Sequence, residues 1–306
     1  MSLSEHIVSI MACAKCKGEV QLADSKKALV CKVCVLSFPI VEGTPVMLID
    51  SDIVDERIDS YTKHFETETE SIDFYNHFYQ VASDYFRFPK FDLLFIKKLY
   101  QFLGLSDESL EIIDIGAGTG YYCDLYRQVY SRFKVYNVDF SIEGFKVAKQ
   151  KYDIHDNFVM DAYNLCFKEQ TVDVITTLSL TPFKKQNQKD IVQLITKITT
   201  PLKSSGYYIF IWPSNLTGKI VKSPVWTEHN KELYSQYYNH TREFIRTAFI
   251  ETGVFSDIYD FVYLRPVTFL PPRILFSKFN TRLSELAMKF TFRKSSARIL
   301  LIGKKR

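Results

Sequence analysis

Glu111-Ile-Ile-Asp-Ile-Gly-Ala-Gly-Thr-Gly-Tyr-Tyr122 is the stretch of the sequence that decides the fold. An apolar run typical of a buried strand leads there into a loop with three glycines, Gly116, Gly118 and Gly120. Glycines at this spacing allow a tight turn from a strand into a helix and let a ligand approach the backbone N–H groups. The stretch therefore predicts a strand, a loop and a helix that together bind a nucleotide cofactor.

The charge of Asp114, two residues before the first glycine, narrows the class of cofactor. A glycine loop alone is weak evidence for any one cofactor. A fixed carboxylate beside the loop repels a pyrophosphate, whereas it attracts a cationic amino group. The residue therefore favours S-adenosylmethionine over NAD or FAD.

Three further strands are predicted after the glycine loop. The first, 134–138, leads into Asp139, at the place where nucleotide-binding folds use a carboxylate to hold the ribose hydroxyls. The second, 158–162, contains Asp161, and the third, 172–178, is rich in β-branched residues, as in strands that a parallel sheet buries on both faces. Each aspartate taken singly could equally cap a helix or lie at the surface, but their order predicts one ligand site at the carboxyl ends of parallel strands.

The order and spacing of these segments resemble class I S-adenosylmethionine-dependent methyltransferases of the type 11-like kind, over about residues 85 to 306. Four motifs carry the resemblance: IDIGAGTG at 113–120, VDFS at 138–141, MDAYNL at 160–165 and LKSSGYYIF at 202–210. The family usually has Pro-Gly-Gly in a turn before the fifth strand, for which this chain has Ser-Ser-Gly at 204–206, ahead of a strand at 207–211. The resemblance is completed by an antiparallel pair of strands at 258–267 and 297–303.

The resemblance also implies a set of cofactor contacts. In chain order the set is Tyr85, Asp114, Gly116, Ala117, Gly118, Gly120, Asp139, Phe140, Asp161, Ala162 and Leu178. Asp114 and the glycine backbone would hold the methionine end of the cofactor, and Asp139 would hold the ribose. Phe140 would cover a face of the adenine, and Asp161 would accept a hydrogen bond from the adenine amino group. Leu178 would lie near the transferred methyl. Tyr85 would belong to a helical lid.

Four cysteines near the amino terminus form two CxxC pairs: Cys13, Cys16, Cys31 and Cys34. Four thiolates at this spacing fit a tetrahedral Zn2+, and because every position is cysteine, none is left open for a catalytic water. Two disulfides are the alternative, which a reducing compartment disfavours. The remaining two cysteines, Cys123 and Cys166, are predicted to pack in the interior.

The sequence around the cysteines resembles the small zinc-ribbon proteins that activate tRNA, rRNA and release-factor methyltransferases, through Cys16-Lys-Gly18 and the run 38–48. The fused arrangement also resembles bacterial large-subunit rRNA guanine methyltransferases, which share Gly-Tyr-Tyr at 120–122. Zinc is expected to have a structural role, because a unit of about fifty residues is too small to fold on its own core.

The predicted fold class is α/β: a Rossmann-like, mostly parallel sheet of seven strands with the last strand antiparallel, preceded by a small zinc ribbon and a helical lid. The ribbon occupies 1–50, a linker and an aromatic helical lid 51–108, and the S-adenosylmethionine-binding domain 109–306. Within that domain, 268–296 is predicted to be a basic amphipathic insert with apolar residues at helical spacing. A capped helix is predicted to begin near Thr241.

Composition adds limits and one open question. With 46% hydrophobic and 24% charged residues, the chain has the composition of a globular protein. The sequence has no run of about 18 apolar residues, so no membrane span is predicted. The absence of a signal pattern favours the cytoplasm. Residues 263–306 hold 11 Lys or Arg against one acid, Glu285. This basic region could contact RNA, an anionic membrane surface or a charged substrate, or equally be a solvated surface.

Three functions fit these observations. The first is an S-adenosylmethionine-dependent enzyme that methylates a small-molecule or lipid-like acceptor at oxygen or nitrogen, favoured by the aromatic lid and the amphipathic insert, which could also rest on a membrane. The second is an rRNA or tRNA base methyltransferase, favoured by the ribbon and the basic region. The third, a catalytically silent docking partner, is disfavoured because all three aspartates are intact.

The catalytic residues are not defined by the sequence. His229 and His240 are candidates for a general base, although a lone histidine in a polar loop is more often a surface residue. A base is needed only where the acceptor must lose a proton during the transfer.

Overall fold

Two sheets and six helices make up the parts of the chain that the computed structural model describes, which are residues 3–49, 89–180, 183, 187–213, 240–265 and 296–306. None of the helices in these ranges has the length and apolar character that a membrane span requires. Tyr85, His229 and the predicted insert up to residue 295 lie outside the described residues.

The amino-terminal unit is a helix followed by a small antiparallel sheet. Helix α1 spans Glu5–Ile10, and the strands are β1 (Val20–Leu22), β2 (Ala28–Cys31), β3 (Ser37–Val41) and β4 (Thr44–Pro45), which pair in chain order. The Ser4 hydroxyl accepts a hydrogen bond from the Ile7 amide at 3.2 Å and so caps α1. The short strands leave this unit with few buried apolar side chains of its own, among them Leu29 and Phe38.

The large sheet has seven strands. They are β5 (Glu111–Ile115), β6 (Lys134–Asp139), β7 (Asn157–Val159), β8 (Val172–Leu178), β9 (Leu202–Pro213), β10 (Phe255–Arg265) and β11 (Ser296–Lys305). Their order across the sheet is β10-β11-β9-β8-β5-β6-β7, and β11 alone runs opposite to the other six strands. The predicted fold class is confirmed by this topology.

Five further helices cover the two faces of the large sheet. They are α2 (Pro89–Phe102), α3 (Tyr121–Val129), α4 (Ile142–Tyr152), α5 (Gln188–Ile198) and α6 (Arg242–Glu251). Helices α2 and α3 bury their apolar residues in one core, and α5 and α6 bury theirs in the other. As predicted, Thr241 begins α6, because its hydroxyl accepts a hydrogen bond from the Phe244 amide at 3.1 Å. Cys123 and Cys166 are both buried, which was also predicted.

The amino-terminal unit completes the edge of the large sheet. Val46 forms a parallel bridge with Val159 in β7, and the Met47 amide donates to the Val159 carbonyl at 2.8 Å. Met11, Phe38 and Met47 lie in the same core as Ile113, Tyr136 and Phe158 of the large sheet. This contact covers an edge strand whose backbone groups would otherwise face solvent.

The turn predicted before the fifth strand lies inside that strand instead. β9 begins at Leu202, and the pairing of β8 with β9 changes register between Val172 and Val174. Ser205 has a φ of 63°, in the left-handed region. An irregularity within the strand therefore changes the direction of the chain where the related family uses a glycine-rich turn.

Other predicted boundaries shift by a few residues. Ser296 belongs to β11 rather than to the insert predicted at 268–296, because it pairs with Arg265. The strand predicted at 258–267 begins earlier, at Phe255, and the structure describes it as far as Arg265. β7 ends at Val159, so that Asp161 follows the strand instead of lying within it.

Candidate cofactor site and metal centre

The glycine loop between β5 and α3 has a left-handed backbone at all three glycines. The φ angles of Gly116, Gly118 and Gly120 are 73°, 53° and 73°. A Cβ atom on Gly116 would lie 2.6 Å from Leu180 Cδ1, so both conformation and space require glycine there. The loop is tied to β6, because the Gly116 amide donates to the Val138 carbonyl at 2.8 Å.

Helix α4 packs directly on this loop. A Cβ atom on Gly144, in the first turn of α4, would lie 2.8 Å from the carbonyl oxygen of Gly118. Ser141 caps the helix by accepting the Gly144 amide at 3.3 Å. The close backbone contact fixes the loop relative to the start of α4.

Asp114 is buried behind the loop, with 3% of its surface exposed. The Thr176 hydroxyl donates to its Oδ1 at 2.6 Å, and the Cys123 thiol lies 3.6 Å from its Oδ2. Burial raises the pKa of Asp114 to about 6, although the hydrogen bonds from Thr176 and Cys123 lower it and the nearby charge of Asp139 raises it further. The carboxylate is thus held in place at an energetic cost that a cationic ligand would offset.

Buried amides continue this network away from the loop. The Cys123 sulfur lies 3.3 Å from Asn137 Oδ1, and Asn137 Nδ2 donates to Asn157 Oδ1 at 2.7 Å. Asn157 Nδ2 in turn donates to the Ile154 carbonyl at 2.8 Å. These residues were not predicted from the sequence, although polar residues within otherwise apolar strands were a usable signal.

Both carboxylate oxygens of Asp139 accept backbone hydrogen bonds. Its Oδ2 accepts the Gly118 amide at 2.8 Å and its Oδ1 accepts the Ser141 amide at 2.9 Å. Burial raises the pKa of Asp139, and the backbone donors oppose this effect. The side chain therefore joins the glycine loop to the start of α4.

Asp161 lies beside Asp139 at the next strand end. The Met160 amide donates to the Asp139 carbonyl at 3.0 Å, and Asp161 Oδ1 accepts the Tyr163 amide at 2.8 Å. The structure thus brings Asp114, Asp139 and Asp161 to the carboxyl ends of β5, β6 and β7, which are neighbours in the sheet.

The other residues of the predicted set surround these carboxylates. Phe140 follows Asp139 and is 40% exposed, and Ala117 is half-buried in the loop. Leu178 closes β8 and is half-buried, while Ala162 is buried beside Asp161. Their contacts with a cofactor stay predictions.

The end of β8 holds a strained residue that the sequence analysis missed. Ser179 has a φ of 54°, and its amide donates to the Ile211 carbonyl at 2.9 Å. Arg298 of β11 donates from Nη1 to the Ser179 hydroxyl at 2.8 Å. This geometry turns the chain so that Leu180 lies over Gly116. Strain of this kind at a non-glycine residue is typical of functional sites.

A second missed residue, Asp92, joins α2 to the start of α3. The side chain is buried, and its carboxylate accepts hydrogen bonds from the Tyr121 hydroxyl at 2.9 Å and the Tyr122 hydroxyl at 3.4 Å. Both tyrosines follow Gly120 directly. Since Asp92 is nearly thirty residues away in sequence, only the packing of the helices shows this contact.

His240 is buried between aromatic rings. Its Nε2 donates to the Phe183 carbonyl, and its ring stacks on Phe244 with centroids 4.8 Å apart. Burial lowers the pKa of His240. Because a carbonyl can only accept, Nε2 carries the proton and cannot itself act as a base in this arrangement.

The four amino-terminal cysteines converge on one point. Their Sγ atoms all lie within 4.8 Å of one another, with Cys13 and Cys34 at 3.6 Å and Cys16 and Cys31 at 3.5 Å. The edge of a tetrahedron with Zn–S bonds of about 2.3 Å is about 3.8 Å, which is close to these separations. The donors therefore fit a structural zinc ion, as predicted.

Backbone donors favour the thiolate form of Cys31. The amides of Cys34 and Val33 donate to Cys31 Sγ at 3.4 and 3.3 Å, and these bonds lower the pKa of Cys31 to about 6 although burial opposes them. Metal-binding cysteines must lose their protons, so this arrangement suits a zinc ligand.

Two family models match separate parts of the chain. Residues 7–43 match one described as Trm112p-like protein, and residues 113–210 match one described as Methyltransferase domain. A UPF0434 protein of Azotobacter vinelandii is 46% identical over 61 residues, which are 98% of that protein and 19% of this chain. The chain belongs to the UPF0434 family through its Trm112p-like ribbon. It joins this UPF0434 ribbon to a methyltransferase domain.

Solved structures support the fold. The plantazolicin methyltransferase BpumL, in complex with a pentazolic desmethylPZN analog and SAH, is 17% identical, with a TM-score of 0.56 over 83% of this chain and 98% of that one. A complex of the Haloferax volcanii Trm112 activator with a methyltransferase is 16% identical, with a TM-score of 0.49 over 76% of this chain and 97% of that one. The resemblance to class I methyltransferases is confirmed for the fold.

The zinc site can be tested through Cys16, the most exposed of the four cysteines. Purified protein is expected to contain about one zinc per chain by atomic emission. Cys16→Ser should bring this value close to zero and lower the melting temperature by about 5 to 10 °C, because the ribbon shares its core with the large sheet. Cys166→Ala removes a cysteine outside the set and should keep the zinc. Equal zinc loss in both variants would contradict the assignment.

The buried charge of Asp114 predicts that Asp114→Asn stabilises the ligand-free protein. Because the pKa is raised in the folded state, folding binds a proton between about pH 4 and pH 6, and stability falls as pH rises through that range. Urea unfolding at pH 7.5 should show the variant more stable by about 1 to 3 kcal/mol, and the difference should shrink at pH 4.5. A variant that is less stable at pH 7.5 would show that the hydrogen bonds outweigh the cost of burial.

Proposed function

We propose that this chain is an S-adenosylmethionine-dependent methyltransferase that modifies a small-molecule or lipid-like acceptor at oxygen or nitrogen. The observation that carries this proposal is the row of three carboxylates at neighbouring strand ends, Asp114, Asp139 and Asp161, around the glycine loop. The match to a methyltransferase domain model over 113–210 supports it. The presence of SAH in the BpumL complex, which has the same fold, is consistent with it.

Each carboxylate would have a separate task. Asp114, with the backbone of Gly116, Ala117, Gly118 and Gly120, would hold the methionine end, where a cationic amino group would favour its ionised form. Asp139 would accept hydrogen bonds from the ribose hydroxyls. These bonds would replace the present hydrogen bonds from backbone amides to its oxygens.

The remaining contacts would define the adenine pocket and the methyl. Phe140, with its ring partly exposed, would cover the adenine, and Asp161 and Ala162 would lie at its amino group. Leu178 would lie near the methyl, and Tyr85 would close the lid. In the same scheme, residues 1–50, 51–108 and 109–306 act as ribbon, linker with lid, and catalytic domain.

Methyl transfer from a sulfonium needs little catalytic help from side chains. A sulfonium is an activated methyl donor, so alignment of the acceptor behind the methyl can supply much of the acceleration, up to about 7 to 11 kcal/mol. His240 donates its Nε2 proton to a carbonyl, so a base, where the acceptor needs one, would have to come from another atom or from His229.

A small or lipid-like acceptor is favoured by apolar residues in two parts of the sequence, the aromatic run that leads into α2 and the predicted insert. Phe91 and Phe95 of α2 stack with centroids 6.3 Å apart, and the aromatic run continues upstream in the sequence. The insert predicted at 268–296 has an apolar stripe that could contact such an acceptor or a membrane surface. Four zinc-binding thiols also favour a reducing compartment such as the cytoplasm.

RNA is the second candidate acceptor, supported by the Trm112p-like ribbon and the basic region. In the described end of that region, the basic side chains have partners within the chain. Lys305 donates to the carbonyls of Thr199 and Leu202, and Arg306 donates to the Phe255 carbonyl. RNA contact would therefore depend on basic residues before Ser296. A catalytically silent partner is disfavoured because the three carboxylates are intact.

The cofactor assignment predicts a loss of affinity in Asp139→Asn. Calorimetry should show one site for S-adenosylmethionine in the parent protein, and the variant should bind at least about tenfold more weakly because it loses charge-assisted hydrogen bonds to the ribose. Asp153→Asn, an exposed aspartate at the far end of α4, is the matched control and should bind normally. Unchanged affinity in Asp139→Asn would refute the ribose contact.

Labelling can distinguish a small or lipid-like acceptor from an RNA acceptor. Incubation of the protein with methyl-labelled S-adenosylmethionine and cell extract should label a small or organic-soluble product that survives ribonuclease treatment. Label that ribonuclease removes would favour the RNA alternative. In that case, binding of RNA should weaken steeply with salt, since each phosphate contact releases counterions.

A further inference from the structure

The first cysteine pair of the ribbon touches the loop that carries Asp161. The Ala12 amide donates to the Cys166 carbonyl at 2.9 Å, and the Lys168 amide donates to the Ile10 carbonyl at 2.8 Å. The two bonds flank an antiparallel bridge between Met11 and Phe167, just before the cysteine pair. The segment 160–166 therefore lies between the metal centre and the predicted adenine pocket.

Lys17 makes the most specific contact across this boundary. It follows Cys16 directly and has a φ of 59°, and its amide donates to the Cys13 carbonyl at 3.0 Å, which closes the turn of the cysteine pair. Its Nζ donates to Asn164 Oδ1 at 2.5 Å and to the Leu165 carbonyl at 2.9 Å. The ammonium group thus reaches the loop from a backbone position that the cysteine pair fixes.

Asn164 completes a reciprocal link. Its Nδ2 donates to the Ala14 carbonyl at 3.0 Å, inside the cysteine pair, and its own amide donates to the Asp161 carbonyl at 2.9 Å. Asp161 in turn accepts the Tyr163 amide at 2.8 Å. The turn that holds two zinc ligands is therefore connected to Asp161, at the end of β7, through Lys17 and Asn164.

We propose that Lys17 is a positioning residue for cofactor binding. Through Asn164 it holds the loop 160–166 in the position in which Asp161 can accept a hydrogen bond from the adenine amino group. This inference rests on the proposed function, since it assumes that Asp161 contacts the cofactor. Under this view the ribbon supports the adenine end of the site as well as the edge of the sheet. A folded, metal-loaded cysteine pair becomes a condition for full cofactor affinity.

The test compares Lys17→Met with Lys15→Met. Methionine keeps an unbranched side chain of similar length but has no donor for Asn164 and Leu165. Lys15 lies in the same cysteine pair, carries the same charge and is exposed, so it controls for charge near the site. Zinc content and urea midpoint are measured for both variants, and affinity for S-adenosylhomocysteine is measured by calorimetry.

Lys17→Met is expected to bind S-adenosylhomocysteine about tenfold more weakly while it keeps one zinc per chain, a size that is ordinary for coupling between sites. Lys15→Met should match the parent protein. The same loss is expected with methylthioadenosine, which has the adenine and ribose but no amino acid end, whereas Asp114→Asn should lose affinity only for the complete ligand. Lys17→Arg, which can still donate two hydrogen bonds, should recover part of the affinity.

Two results would overturn the inference: parental affinity in Lys17→Met, or an equal loss in Lys15→Met. Should Lys17→Met lose its zinc, the zinc-loaded Lys17→Arg variant decides instead. Reduced protection of residues 160–166 from hydrogen exchange together with partly weakened affinity supports the inference. Parental protection with weakened affinity, or reduced protection with parental affinity, contradicts it. If the parent protein binds neither ligand, the proposed function fails, and it fails separately from the role of Lys17.

Discussion

The register of β5 between β6 and β8 is the constraint on which the site depends. In this register Asp114 lies opposite Asn137 on one side and opposite Thr176 on the other. Three buried polar residues therefore form a row across three neighbouring strands. A shift of one residue in either strand would turn the partner of Asp114 to the opposite face and leave the carboxylate buried without a donor.

The cost of this arrangement explains how it could serve binding. A carboxylate that is 3% exposed is held in its ionised form only with help from neighbouring donors, and the raised pKa of Asp114 shows that this help is incomplete. Asp139 is in a similar position, because burial raises its pKa despite hydrogen bonds from the backbone. A ligand that brings a cation and hydroxyl donors would complete the missing interactions, which is the general basis of preorganised binding sites.

The ribbon and the large sheet stabilise each other. A unit with four short strands buries little apolar surface of its own, and β7 would otherwise expose the backbone of an edge strand. The pairing of Val46 with Val159 and the shared core around Met47 and Phe158 remove both difficulties. The contact of His6 with Glu111, at 2.7 Å, adds a polar link between α1 and β5. The two parts are therefore one structural unit in the described residues.

Sequence by itself determined the elements whose signals are local: the strand and glycine loop at 111–120, the aspartates at strand ends, the paired cysteines and the cap at Thr241. These signals are local because backbone conformation, capping and ligand spacing depend on residues within a few positions of one another. Only the tertiary structure decided the contacts of Asp92 with Tyr121, of Arg298 with Ser179, and of Lys17 with Asn164. Their partners are separated by between 29 and 147 residues, and such contacts arise from sheet order and helix packing, which no local pattern specifies.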